Sequence, residues 1–153
     1  MIEEIKSIKK WFELARPEPT IEDACVQIGC HYEEVAEMAE TIGDESNAIN
    51  SLANDYKSKD YSALFFIENL KIKGNAVGLK VELLDSLCDQ IVTAIGVAHM
   101  LGFDIEGALN EVNNSNYSKF EDGKPVFNEQ GKIAKGKDYF APDLTKFIGD
   151  SNE

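Results

Sequence analysis

The chain has 153 residues, 43% of them hydrophobic and 9% aromatic, enough to bury one sizeable core, and its length predicts a single domain over residues 1–153. Its 28 acidic residues against 15 basic ones give a formal net charge of -13. That balance excludes a general binder of nucleic-acid polymers or of anionic membrane surfaces, both of which repel such a protein.

Ile5, Ile8, Trp11 or Phe12, and Ala15 recur at helical spacing, predicting a first helix over 2–15 that the prolines of RPEPT bring to an end. Thr20 with Asp23 resembles a capping box. Ile21, Ala24, Cys25, Ile28, Tyr32, Val35, Ala39 and Ile42 then trace one stripe of a long second helix up to Gly43. Ile49, Leu52, Ala53 and Tyr56 indicate a third helix. A fourth is expected from Asp60 to about Lys71 with Leu64, Phe65 and Leu70, and KGNAVG reads as a loop. From about Leu79 to Leu101, Leu84, Leu87, Ile91, Ile95 and Ala98 share one side of another long helix, which Gly102 stops. Asp104 is placed to cap a last helix reaching about Asn116. From Tyr117 the helical period is lost, and EDGKPVFNEQGKIAKGKDYFAPDL reads as a short hairpin around NEQG followed by an extended arm. Lys119, Lys124, Lys132, Lys135 and Lys137 make this tail a local reversal of charge. The expected fold is all-α: a bundle of about five helices as the body, residues 1–116, and a lysine-rich β-hairpin and C-terminal arm, residues 117–153.

Cys25, Cys30 and Cys88 show no C-x-x-C spacing, MIEEIKSIKKWFELA lacks the apolar run of a signal peptide, and no stretch matches a membrane span. A cytoplasmic protein with reduced thiols is expected.

Two acidic clusters carry the candidate chemistry. In HYEEVAEM, Glu34 and Glu37 are three apart and so neighbours on one helical face; in VELLDSLCD, Glu82 and Asp85 repeat the arrangement and Asp89 extends it by a turn. Glutamates so spaced often only solvate a helix, but the second cluster interrupts a strongly apolar segment, where acids need a cation or a partner to meet them. If the two helices packed antiparallel the carboxylates would converge, and hard oxygen donors select Mg²⁺, with Mn²⁺ as substitute, over zinc or copper. The only histidines, His31 and His99, do not follow a glutamate by three, which argues against a carboxylate-bridged di-iron site. The sequence has no phosphate-cradling glycine loop and no nucleophile–histidine signature, so nucleotide phosphates would be held through metal and lysine.

Glu-x-x-Glu in HYEEVAEM followed by Glu-x-x-Asp in VELLDSLCD resembles the all-α nucleoside triphosphate pyrophosphohydrolases, which include MazG-like proteins, dimeric dUTPases and phosphoribosyl-ATP pyrophosphohydrolase. The tail SNYSKFEDGKPVFNEQGKIAKGKDYFAPDL looks like the branch with an SN-x-SK motif, and WFELARPEPT with QIGCHYEEVAEM is similar to phage-type MazG-like enzymes, including those acting on purine deoxynucleotides in diaminopurine-DNA pathways. The resemblance covers nearly the whole chain. It implies Glu34, Glu37, Glu82 and Asp85 as Mg²⁺ ligands, with Asp89 in addition, and hydrolysis between the α and β phosphates to a nucleoside monophosphate and pyrophosphate. Glu33, with Glu34 beside it, is the carboxylate expected to activate the attacking water. Ser115, Asn116, Lys119, Lys132 and Lys135 are expected on phosphate or sugar, and Trp11 is a candidate for stacking on the base. The implied substrate is a purine dNTP, dGTP or dATP, with dUTP, dCTP or a house-cleaning role as alternatives. The implied assembly is a homodimer or homotetramer, in the host cytoplasm if phage-encoded. One departure is the long insert between Glu37 and Glu82. The rival outside this class is a non-catalytic helical adaptor whose acidic face binds a basic partner.

Overall fold

The computed structural model describes residues 2–149 except 61, 63, 66, 67, 69–76 and 130. It is all-α: among the described residues there are five α-helices, α1 (Ile2–Ala15), α2 (Ile21–Thr41), α3 (Asn47–Lys57), α4 (Val77–Met100) and α5 (Ile105–Tyr117), and a 3₁₀ turn, η1 (Thr145–Phe147). Of the helix expected from Asp60 to Lys71, Leu64 and Phe65 are described as helical, whereas Leu70 and Lys71 lie outside the described residues. Most of the KGNAVG loop also lies outside them, and its last two residues, Val77 and Gly78, already belong to α4.

The chain divides into two compact units. One comprises residues 1–17, 81–126 and 133–153; the other comprises residues 18–80 and 127–132.

In the first unit α1 packs on α5. Trp11, Ala15 and Phe120 form its core, with Phe12, Tyr117 and Ile133 against them. The contact is also polar. Trp11 Nε1 donates to Asn116 O at 2.9 Å, Asn113 Nδ2 to Ser7 Oγ at 2.8 Å and Tyr117 Oη to Ser7 O at 2.8 Å. Each bond satisfies a group that burial would otherwise leave unpaired. Asp104 caps α5 by accepting from Gly107 N at 3.0 Å.

The tail of this unit forms no strand among the described residues. On either side of the expected NEQG turn, Asn128 N donates to Lys132 O and Ala134 N to Val126 O, and a separate isolated bridge joins Glu121 to Lys124. Ser115 and Ser118 then take hold of the arm at one residue. Ser115 Oγ donates to Phe140 O at 2.8 Å, and Ser118 Oγ accepts from Phe140 N at 3.1 Å. Beyond it, Asp143 N reaches Glu111 at 3.3 Å and Asp104 N donates to Phe147 O at 2.8 Å. The arm therefore retraces α5 in the opposite direction.

In the second unit α2 and α3 form an antiparallel helical hairpin. Thr20 and Asp23 complete the capping box in both directions, with bonds of 3.1 and 2.9 Å, and Gly43 takes up a positive φ of 86° just past the end of α2. Cys25 is fully buried among Ile21, Ala24, Ile28, Tyr56 and Leu64. Val26, Gly29 and Ala36 are buried as well, so the packed face of α2 is turned toward Gly29 relative to the stripe read from the sequence, while Ile42 is exposed. At Gly29 the helices touch through backbone: a Cβ there would lie 2.8 Å from both Ala53 O and Lys57 N.

Candidate functional site

The rotation of α2 sorts its acids. Glu33 and Glu40 flank the packed face and are held. Glu40 accepts from Ser46 and, at 2.9 Å, from Asn50 Nδ2, and these bonds keep its carboxyl below the usual glutamate range. Glu33 receives Lys57 Nζ on Oε1 at 2.8 Å and Lys132 Nζ on Oε2 at 2.7 Å. The hydrogen bond from Lys132, then that from Lys57, lowers its pKa against the opposing effect of burial. Lys132 responds in the opposite sense: burial works to lower its pKa, but the bond to Glu33 and the negative charge around it leave it raised. Asn128 fixes this lysine through its main chain, donating its N–H to Lys132 O and accepting Lys132 N on Oδ1, both at 2.9 Å. Beside the cluster, burial pushes the Cys30 thiol up, so it is a poor nucleophile at neutral pH.

Glu34 and Glu37 are exposed on the remaining arc of α2, and their carboxylates make no hydrogen bond or ion pair among the described residues. The other four acids of this helix are all engaged: Glu22 by Lys59, Asp23 in the cap, Glu33 by two lysines and Glu40 by Ser46 and Asn50. Glu82, Asp85 and Asp89 lie in one row along α4, also exposed and without such a partner among the described residues. The expected ligands thus form a pair on α2 and a row of three on α4. Among the described residues, no group of three or more His, Cys, Asp or Glu side chains comes together as a ready metal cluster.

The other expected site residues are placed as follows. Ser115 is buried and spends its hydroxyl on Phe140 O. Asn116 accepts from Trp11 Nε1 on its main-chain carbonyl and from Lys119 Nζ on Oδ1, the latter at 2.7 Å. Lys135 sits over the Tyr139 ring, 4.7 Å from its centroid. Trp11 is a core residue stacked on Phe120, with ring centroids 5.6 Å apart. Its indole is packed and its N–H satisfied, so it presents no free face to a base. Glu33 likewise departs from a general base: a carboxylate with lowered pKa and an ammonium on each oxygen is a weak proton acceptor.

Lys57 was not among the residues expected from the sequence. Its partner is 24 residues away, and nothing in the local pattern of α3 marks its last-turn lysine as different from any solvated one.

Neither family models, nor curated proteins, nor solved structures yield a match to this chain. Among the described residues no single helix is long and apolar enough to cross a membrane.

Proposed function

We propose that this chain is a Mg²⁺-dependent nucleoside triphosphate pyrophosphohydrolase of the all-α, MazG-like kind. It cleaves between the α and β phosphates of a purine dNTP, dGTP or dATP, and works as a cytoplasmic homo-oligomer. The observation that carries the reading is the selective freedom of Glu34 and Glu37 on a helix whose other acids all have partners. Carboxylates left at i and i+3 with no hydrogen bond or ion pair of their own among the described residues are a natural pair of donors for a hard cation. Glu82, Asp85 and Asp89 supply the same chemistry from α4. When bound, Mg²⁺ supplies charge neutralisation at the phosphate oxygens and activation of the attacking water.

The residues of the chain do the rest. Glu34 orients the water, being the free carboxylate next to the engaged Glu33. Glu33 acts as a positioning residue that holds Lys132 and Lys57 extended, and Lys132, with 41% of its side chain exposed, turns toward phosphate when substrate competes for it. Asn116 and Lys119, bonded to each other, and Lys135 are further candidates for the phosphates and sugar.

The test is to incubate the protein with each common NTP and dNTP in Mg²⁺ and to identify the products. A monophosphate and pyrophosphate are expected. Orthophosphate as the sole inorganic product refutes α–β cleavage, and a non-catalytic adaptor would give neither product nor Mg²⁺-dependent stabilisation. Glu82→Gln is expected to lower turnover by at least about 10–100-fold, the range found even for residues that only support metal ligands. Full activity in that variant removes Glu82 from the site.

A further inference from the structure

A nucleotide needs a flat apolar surface for its base as well as donors for its phosphates, and Trp11, buried in the core, does not supply one. Most other rings of the first unit are taken too. Phe12, Tyr117 and Phe120 pack with Trp11, while Lys135 covers Tyr139 and Lys146 covers Phe147. Phe103 and Phe140 remain, 42% and 49% exposed, and neither has a ring or a cation against it among the described residues. The two lie at opposite ends of α5. Phe103 precedes its first turn, about 20 Å from Asn116 at the usual helical rise. Phe140 is tied to its last turn, where Asn116 and Lys119 are bonded to each other.

Single exposed phenylalanines are ordinary, but Phe140 is unusual in how its backbone is held. Ser118 Oγ accepts its N–H at 3.1 Å and Ser115 Oγ donates to its carbonyl at 2.8 Å. The chain leading to it is fixed as well: Gly136 N donates to Lys119 O at 3.1 Å, and a Cβ at Gly136 would lie 2.6 Å from that same oxygen. The ring is therefore presented from main chain that is already ordered, which removes part of the entropy cost of binding a ligand there.

We infer that Phe140 is the stacking platform for the base of the nucleotide, with Asn116 and Lys119 on the sugar and phosphate side of it. The inference rests on the proposed function and gives that site its base-reading residue. A neutral heterocycle suits the ring because stacking spreads over a π face and calls for no counter-charge, and a purine offers a larger face than a pyrimidine.

Steady-state kinetics and a fluorescence titration test it together. Phe140→Ala should raise KM for dGTP roughly 5- to 150-fold, the loss that follows when a stacked base is stripped of its aromatic partner, with kcat little changed. Phe140→Tyr should restore the wild-type KM, and Phe103→Ala should not move it. Inorganic triphosphate, which has no base, should inhibit the wild type and Phe140→Ala with the same Ki. In Phe140→Trp, α,β-methylene-dGTP should quench the added indole emission and inorganic triphosphate should not. Pyrophosphate release by an enzyme whose added indole stays unquenched overturns the inference alone, and quenching without pyrophosphate release from any nucleotide overturns the proposed function alone. An unchanged KM in Phe140→Ala, or a Ki for triphosphate that rises as much as KM, would also overturn the inference.

Discussion

Gly29→Ala sets two physical effects against each other, and the packing of α2 on α3 decides the sign. In an unhindered helix interior the change stabilises by about 0.5–1 kcal/mol, because alanine loses less backbone freedom on folding. At Gly29 the added methyl would stand 2.8 Å from Ala53 O and Lys57 N and 2.7 Å from Lys57 Cγ. Two of these obstacles are main-chain atoms, so relief requires the helices to separate, and overpacking of this kind costs about 1–3 kcal/mol. The net expectation is a loss of about 1–2 kcal/mol, or a fall in Tm of roughly 2–8 °C for a chain of this size. Gly96→Ala is the internal control, since a Cβ there meets nothing within 4 Å; it should raise Tm by about 2–4 °C at most. Thermal melts followed by circular dichroism measure both. A Gly29→Ala protein that melts at or above the wild-type temperature would show that the two helices do not approach through their backbones there, and the position assigned to Lys57 would fall with it.

Glu33→Gln should destabilise the protein at pH 7 by about 0.5–1.5 kcal/mol, held to that range by the solvent exposure of Lys132. Because the folded-state pKa of Glu33 is lowered, its contribution is present above the ordinary glutamate value and is lost as pH falls through the lowered one. Urea melts at pH 7 and pH 3 should therefore show the difference between wild type and variant shrinking on acidification, and a pH-independent difference would contradict the ion-pair assignment. Ser115→Ala should cost about 1 kcal/mol by removing the donor to Phe140 O, with faster hydrogen exchange along residues 139–147 and little change in α2. Equal exchange in the two proteins would mean that the hydroxyl does not secure the arm.

The helices were legible where local signals act. The prolines after Ala15, the Thr20–Asp23 box, Gly43, Asp104 and Gly102, with its φ of 75°, all act within a turn of the boundary they set. The facing of α2 was less legible, because alternative apolar stripes overlap on a helix containing Val26, Gly29 and Ala36, and the choice between them belongs to α3. The turn residues of the tail announce the reversal at NEQG, where Asn128 N donates to Lys132 O, but not what holds the arm beyond it, which is secured by side chains of a helix more than twenty residues earlier. For the candidate site, sequence located the carboxylates and not their state. That Glu33 is occupied depends on Lys57 and Lys132, 24 and 99 residues away. Trp11 was ambiguous for the same reason: its burial depends on Phe120.

The arm along α5 acts as a ruler. From Ser115 back to Asp104 the helix climbs about 16 Å at its usual rise. The arm covers the same interval between Phe140 and Phe147 with an extended stretch and the 3₁₀ turn η1, a reach of about 19 Å at ordinary extension. One residue fewer between Ala141 and Leu144 would leave about 16 Å and no slack, so that either the hold on Phe140 or the bond from Asp104 N to Phe147 O has to open. An added residue could loop outward at little cost. The segment should therefore tolerate insertions and reject deletions, an asymmetry set by the length of a helix it merely lies against.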